Sequence, residues 1–435
     1  MEEIYIHFFR WLKIKIITGE KNMKILTLGL LFLATAISTH AIAGGSEAES
    51  IAQLKAQIAE LSKRLDNMDK YTTVMAKKSN PKLKWAEKIK IKGDMRYRYE
   101  TIDDDRKNVG SADERNRSRL RARLGLTAQV SDDVKAGFAL ATGTSGGDPI
   151  SSNSTFGSSN ADKGIVLDQG YIAWKFYDNM TLTAGKTKVP YFKPGKSGLI
   201  FDGDLRPEGA HIKYKNNNVF ATLGYNFLNS DDGSSGNKDI IETYGAQVGY
   251  KFKVDKNTKV TVGLGYYNIP LSGSELADVL TDEFGNTASG TTYAYNYEIQ
   301  QVFGEVKTKI AGQKTTFYAD YIKNDGDSNT DGISDPKEDT GFVYGVKVGS
   351  AKKKGGFAFG YAYQDLEKDA TFGAHTDSDF GGGGTDTKGS KLSAALGLSK
   401  NTSLALTYFD TEYGKESRGT EYDYDRLQVD LKTKF

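Results

Sequence analysis

From Asp423 to its C-terminal Phe435 the chain alternates in polarity residue by residue. Leu427, Val429, Leu431, Thr433 and Phe435 fall on one face, and Arg426, Gln428, Asp430, Lys432 and Lys434 on the other. A period of two puts successive side chains on opposite faces of a β-strand. Segments of this kind recur at 89–101, 115–129, 133–143, 165–177, 180–188, 209–216, 218–228, 241–253, 257–268, 293–310, 313–323, 340–350, 355–366, 388–399, 402–413 and 423–435. A soluble sheet needs a second layer over its apolar face, whereas a barrel in lipid needs none and can hold water inside. The pattern predicts an all-β protein, a 16-stranded antiparallel transmembrane β-barrel.

The connections support this expectation. Seven are tight and use turn-forming residues: Ser131-Asp132, Asp178-Asn179, Asn216-Asn217, Asp255-Lys256, Ala311-Gly312, Lys352–Gly355 and Lys400-Asn401. The eight between them are long and polar, as extracellular loops of such barrels are. Every proline after Pro81 falls in a long connection, as it must where a ladder needs an N–H donor. Tyr97, Tyr99, Phe227, Tyr250, Phe252, Tyr266, Tyr408 and Tyr413 crowd the strand ends, where interfacial aromatic girdles belong.

A hydrophobic fraction of 38% is low for a helical membrane protein but suits a barrel, in which about half of each strand faces water. Past residue 43 no stretch is long and apolar enough for a spanning helix. With no cysteine there are no disulfide staples or thiolate sites. Beyond residue 43 the histidines are His211, in the sixth strand, and His375, in a loop; nothing marks a nucleophile beside either. The glycine run 381–384 is too loose for a phosphate-binding motif, and no nucleic-acid partner is indicated. An enzyme is not expected.

The N-terminus reads as a targeting segment. Met23-Lys24 precedes the apolar run Ile25–Ile37 and a small-x-small pattern at Ala41-Ile42-Ala43, so residues 1–43 form a signal peptide whose natural start is Met23. At 13 residues the apolar run is too short to span. Cleavage after Ala43 removes five basic and three acidic side chains, so 58 and 56 become 53 of each. Any ion preference must then come from where charges sit.

Ile51, Leu54, Ile58, Leu61, Leu65 and Met68 are spaced 3, 4, 3, 4, 3, an a/d seam that predicts a short N-terminal α-helical coiled coil over residues 44–70. Residues 71–88, with Pro81 and several lysines, form a linker, and the barrel occupies 89–435.

The second strand carries Arg115, Arg117, Arg119, Arg121 and Arg123, alternating with Ser118, Leu120, Ala122 and Leu124. An arginine at the bilayer midplane costs about 2–4 kcal/mol, so the arginines must face the lumen. With Arg96 and Arg98 of the first strand they make one wall positive, which predicts a modest anion preference. The plainer reading makes them one side of a structural ion-pair network.

The chain resembles the putative porin family of proteobacterial outer membranes. The resemblance rests on the arginine-rich second strand, Asp168-Gln169-Gly170-Tyr171 leading to Trp174, Gly185-Lys186 followed by Pro190-Tyr191-Phe192, and Phe201-Asp202-Gly203-Asp204-Leu205-Arg206-Pro207-Glu208-Gly209. The aromatic C-terminal residue is similar to the signature by which outer-membrane barrels are recognised for insertion. The resemblance implies a passive diffusion channel for small hydrophilic solutes and ions in the Gram-negative outer membrane, with no cofactor required. It implies a homotrimer, although Ile at a with Leu at d by itself favours a dimer. In general porins the third long loop folds inward, so residues 187–208 are the expected constriction, with Lys186, Asp202, Asp204 and Arg206 joining Arg96, Arg98, Arg117, Arg119, Arg121 and Arg123 as pore-lining residues. Acidic loop residues facing a basic wall would set up a transverse field. The competing reading is a surface structural protein or adhesin plugged by its own loops.

The sixth long loop holds a candidate calcium site. Asp327-x-Asn329-x-Asp331-Gly332-x5-Glu338, with Asp335 at the ninth position, matches the 12-residue calcium-loop pattern. Strands instead of helices flank it, and Pro336 lies inside it.

Overall fold

The computed structural model describes residue 63 and residues 84–105, 114–144, 146–230, 240–276, 282–328, 338–415, 417 and 419–435. The expected signal peptide, the coiled-coil seam and the linker up to residue 83 lie outside these residues, residue 63 apart. A helical turn, α1 (Lys84–Glu87), precedes the first strand.

Sixteen long strands follow: β1 Ile89–Asp104, β2 Glu114–Gln129, β3 Val134–Thr142, β4 Ile165–Tyr177, β5 Met180–Lys186, β6 Glu208–Lys215, β7 Val219–Asn229 and β8 Ile241–Lys253. They continue as β9 Lys259–Ile269, β10 Tyr297–Ile310, β11 Gln313–Asn324, β12 Thr340–Gly349, β13 Phe357–Leu366, β14 Thr387–Ser399, β15 Thr402–Tyr413 and β16 Tyr422–Lys434. Each pairs antiparallel with its sequence neighbours, and β1 also pairs with β16, so the sheet closes on itself. Closure disposes of the unpaired edges that lipid cannot solvate.

Phe435 finishes the closure. Its N–H donates to the Gly93 carbonyl and its own carbonyl accepts from the Gly93 N–H, both at 3.0 Å. A Cβ at Gly93 would lie 2.3 Å from the Phe435 ring and 2.7 Å from the Arg123 carbonyl, so only glycine fits this seam. At the same end Ala311 and Gly312 both have positive φ, the backbone of a two-residue hairpin turn that matches strand twist.

Leu124, Leu126, Ile172, Trp174, Leu223, Val248, Leu264, Val302 and Leu431 are exposed on the outer face, as a lipid-facing wall requires. The girdle expectation fails at Tyr413. It lies opposite Thr387, on the inner face, and its hydroxyl donates to Asp104 at 2.7 Å.

The inner face is less polar than the sequence pattern predicts. Tyr267 of β9, Ile299 of β10, Ile322 of β11 and Leu366 of β13 point inward and are almost fully buried, in one cluster with Leu199 and Phe372 from two loops. The reason lies in the loops. Loop 3 (residues 187–207) and loop 7 (residues 367–386) fold into the barrel and cover this sector, so inward-facing side chains there meet protein instead of water. The two loops are joined by the Asp202 N–H donating to the His375 carbonyl at 2.6 Å and the Asp377 N–H donating to the Gly198 carbonyl at 3.1 Å. Gly381 to Gly384 all have positive φ, which lets loop 7 reverse direction beside β14 and β16.

Candidate functional site

Register fixes which side chains share the lumen. On β1 and β2, Asp94 lies opposite Arg123, Arg96 opposite Arg121, Arg98 opposite Arg119 and Glu100 opposite Arg117. On the other flank Arg98 lies opposite Asp430 and Glu100 opposite Gln428. Paired residues point to the same face, so the six expected arginines share one inner wall with Asp94, Glu100, Arg426 and Asp430.

The wall is an ion-pair network. Arg98 makes a two-pronged contact with Asp430, Nε at 2.7 Å and Nη2 at 3.0 Å, and its Nη1 reaches Asp379 of loop 7 at 3.0 Å. Glu100 is fully buried between Arg117 and Arg426, the latter at 2.6 Å. Arg96 donates to Asn153 of the second long loop. Arg119 has a distant partner: Glu100 lies 3.6 Å from its Nη1, and its buried Nε, like that of Arg96, has no acceptor among the described residues. Five carboxylates, Asp94, Glu100, Asp204, Asp379 and Asp430, therefore offset part of the charge of seven arginines, Arg426 included, so the positive wall expected from the sequence carries its own counter-charges. The arginines could be read from β2 by itself; their partners are spread over β1, β16 and loops 3 and 7.

Loop 3 spans from this wall to the far side. At one end Asp204 accepts from Arg121 at 3.2 Å and from Arg123 at 2.7 Å. Asp94 accepts from the same guanidinium groups at 3.0 and 2.9 Å. At the other end the Gly195 N–H donates to Glu305 of β10 at 3.0 Å, and Lys347 of β12 donates to the Gly195 carbonyl. Gly195 has φ 57° and a Cβ there would sit in the Tyr318 ring, so glycine is what brings the loop backbone onto the wall. Between these ends Gln247 of β8 pairs with the Phe192 backbone in both directions, at 2.7 and 2.9 Å.

The other expected residues divide. Arg206 is buried at the base of loop 3, where its Nε donates to Asp168 of β4 at 3.1 Å and its Nη1 to two backbone carbonyls. Asp202 does not face the arginines. It accepts from the Asp204 N–H and the Ser378 N–H at the junction of loops 3 and 7. Lys186 lies on the outer face, opposite Glu208, to which it donates at 2.5 Å. It is outside the lumen, because its neighbours Thr183 and Gly185 hold the inward parity of β5.

Charge at the junction is finely set. Burial, with Asp377 alongside, pushes the Asp202 carboxyl up to about 7. Burial also opposes ionisation of Asp379 and Asp204, but Arg426 and Arg98 hold Asp379, and Arg121 and Arg123 hold Asp204, below the usual carboxylate range. Burial takes His375 down to about 4, so this loop histidine is neutral and packs edge-on against Phe372 at 4.8 Å between ring centres. Its burial was not legible in the sequence.

Of the candidate calcium ligands, Asn329, Asp331 and Asp335 lie outside the described residues. Asp327 and Glu338 are tied to the neighbouring long loops through their backbone carbonyls, which accept from Asn296 at 3.0 Å and from Asp369 of loop 7 at 2.8 Å. Among the described residues no three acidic or histidine side chains group as metal ligands.

A family model described as "Putative porin" matches residues 105–271 and 292–435. The chain belongs to that porin family. Among solved structures, the high-pH structure of OprB from Pseudomonas putida aligns with this porin at a TM-score of 0.54 and 12% identity, over 82% of this chain and 96% of that one. OmpF of Salmonella typhi, in complex with daunomycin, aligns at 0.47 and 14%, over 80% and 97%. A mutant of the Rh. blastica porin aligns at 0.44 and 12%, over 80% and 100%. The OprB likeness is one of fold. No curated protein sequence matches the chain. Family and closed 16-stranded barrel together make this an outer-membrane porin.

Proposed function

We propose that this porin lets small hydrophilic solutes and ions run down their gradients, with a modest preference for anions, and that it catalyses no reaction. The observation that carries the reading is loop 3, stretched inside the barrel from Arg121 and Arg123 to Glu305 and Lys347. A loop held at both ends narrows the lumen to a fixed aperture, and charged groups along such an aperture select by local field instead of by net charge. Arg96, Arg98, Arg117, Arg119, Arg121, Arg123, Asp204 and Arg206 are the proposed pore-lining set. In this reading the chain reaches the outer membrane through a cleaved signal peptide over residues 1–43. It assembles as a homotrimer held in part by a coiled coil over residues 44–70.

The apolar cluster under loops 3 and 7 favours a second reading, a barrel plugged by its own loops and serving as a structural or adhesive surface protein. Planar-bilayer recording of the purified protein separates the two. Stepwise, steady ion current supports the channel; a silent membrane with correctly folded protein supports the plug.

A further inference from the structure

Unmatched positive charge inside the barrel is not confined to the arginine wall. Across it, on the side of loop 3 nearer the tight turns, strand register lines up a row of lysines. Lys253 of β8 lies opposite Lys259 of β9, Lys259 opposite Lys307 of β10, Lys307 opposite Thr316 of β11, and Thr316 opposite Lys347 of β12. These positions share the parity of Gln247, Thr261 and Glu305, so they face the lumen. One pair further toward the turns, Lys309 faces Lys314. Lys251 stands above the row, its Nζ 4.2 Å from the centre of the Phe220 ring. Lys215 and Lys259 lie within its electrostatic reach.

Like charges directly opposite on neighbouring strands destabilise a sheet. The protein keeps three such lysines side by side, Lys253, Lys259 and Lys307, with Lys347 one strand beyond Thr316 in the same row. Among the described residues Lys307 has a carboxylate partner, Glu305, and that carboxylate is shared with the Gly195 N–H of loop 3. Lys347 is turned to the Gly195 carbonyl. Lys253, Lys259, Lys309 and Lys314 are exposed and have no ion pair among the described residues. Lys347 anchors loop 3, but among the described residues no ion pair accounts for Lys253 and Lys259 standing side by side on the lumen wall at a cost in stability.

Neighbouring strands lie roughly 4.7–4.9 Å apart, and each ammonium is a compact charge on a long flexible stem. Several such groups can close on one doubly charged oxyanion at once, whereas a chloride ion satisfies them one at a time. We propose that the row Lys253, Lys259, Lys307 and Lys347 is a binding step for small divalent oxyanions passing through the pore, with inorganic phosphate as its simplest member. This rests on the channel reading above, and it adds a second seat of anion preference on the side opposite the arginine wall.

The test is chloride current through the purified protein in a planar bilayer, with sodium phosphate added at constant ionic strength and at a pH where the dianion prevails. Phosphate should slow the chloride current in a saturable way. The variant Lys253→Gln, Lys259→Gln, Lys307→Gln should need about tenfold more phosphate for the same effect, a change of about 1.4 kcal/mol. A control variant, Lys186→Gln, Lys323→Gln, Lys388→Gln, removes equal charge from the outer face and should respond to phosphate as the native protein does. If the triple lumen variant fails to insert, Lys253→Gln and Lys259→Gln are compared singly, and each should weaken the phosphate effect. Steady current that phosphate leaves unchanged, or slowing that survives loss of the lumen lysines, overturns this inference and leaves the channel intact. A silent membrane overturns the channel, and this inference with it.

Discussion

Asp204 of loop 3 and Arg123 of β2 meet at 2.7 Å across the lumen, and this contact ties the loop to the wall. Asp94 holds the same guanidinium from the β1 side at 2.9 Å. Each arginine of the Arg121–Arg123 pair thus bridges two carboxylates, one fixed in the barrel and one on the loop. The arrangement does two things at once: it anchors the constriction and cancels most of the charge of the arginines that form it.

Replacing Asp204 by alanine should separate those two roles. A hydrogen bond to a charged group is worth roughly 1.5–3 kcal/mol, so the barrel in detergent should melt at a lower temperature. The two guanidinium groups would keep Asp94 and lose their second partner, and the reversal potential in a salt gradient should move toward anions. An inserting variant with an unmoved reversal potential would put this pair away from the ion path.

Changing Arg119, Arg121 and Arg123 together to glutamine should move the reversal potential the other way, toward cations. Arg119 should account for most of the shift, because its nearest carboxylate is Glu100 at 3.6 Å while the other two are doubly paired. Comparing Arg119→Gln with the double variant of its neighbours checks that order.

Loop 3 should loosen from loop 7 as pH rises. The Asp202 carboxyl has its folded-state value raised to about 7 by burial and by Asp377. A carboxyl shifted upward contributes stability that is fully present below its unfolded value of about 4 and is lost as pH climbs through its folded value. Asp204, Asp377 and Asp379 face the same junction as further negative groups, and Lys193 as a positive one. Single-channel noise should therefore increase between pH 6 and pH 8, a window set by the value of about 7. Asp202→Asn should flatten that dependence while Asp204 continues to hold the wall.

Aspartate at Leu54, Ile58 and Leu61 should weaken the oligomer without stopping barrel insertion, since charges placed in an a/d seam are buried where partners meet. Native gel mobility after graded heating in detergent reads the outcome. Oligomers equally resistant in both proteins would mean that the barrel walls supply the contacts.

We propose a calcium site in the sixth long loop on the spacing of Asp327, Asn329, Asp331, Asp335 and Glu338, with a solvated acidic loop tip as the alternative. Calorimetric titration should give heat with the native protein and none with Asp327→Ala, Glu338→Ala. Equal heats from the two would refute the site.

Most of the barrel was legible in the sequence because lipid imposes a rule on every strand. Outward residues must be apolar and neighbours must alternate, so Leu427, Val429 and Leu431 announce β16 by themselves. Where the rule is relaxed, legibility fails. Tyr297, Ile299 and Phe303 are apolar on the inward side of β10 while Val302 is apolar on the outward side. The inward apolar side chains of this strand need a cover, and what covers them comes from residues far away in sequence. Tyr413 was misplaced for a related reason, since an aromatic at a strand end suits either a girdle or a covered lumen.

The sequence by itself determined the closed 16-stranded barrel, the face of each strand and the inward direction of Arg96 to Arg123, because parity along a strand is a local property. Only the tertiary structure decided that Asp94, Glu100, Asp204, Asp379 and Asp430 supply counter-charges to those arginines, that loop 7 enters the barrel beside loop 3, and that Lys253, Lys259, Lys307 and Lys347 form one row. Charge pairing and cross-strand rows depend on register between strands and on where loops land. Those are set by packing and hydrogen bonding between segments up to hundreds of residues apart, which no local pattern records.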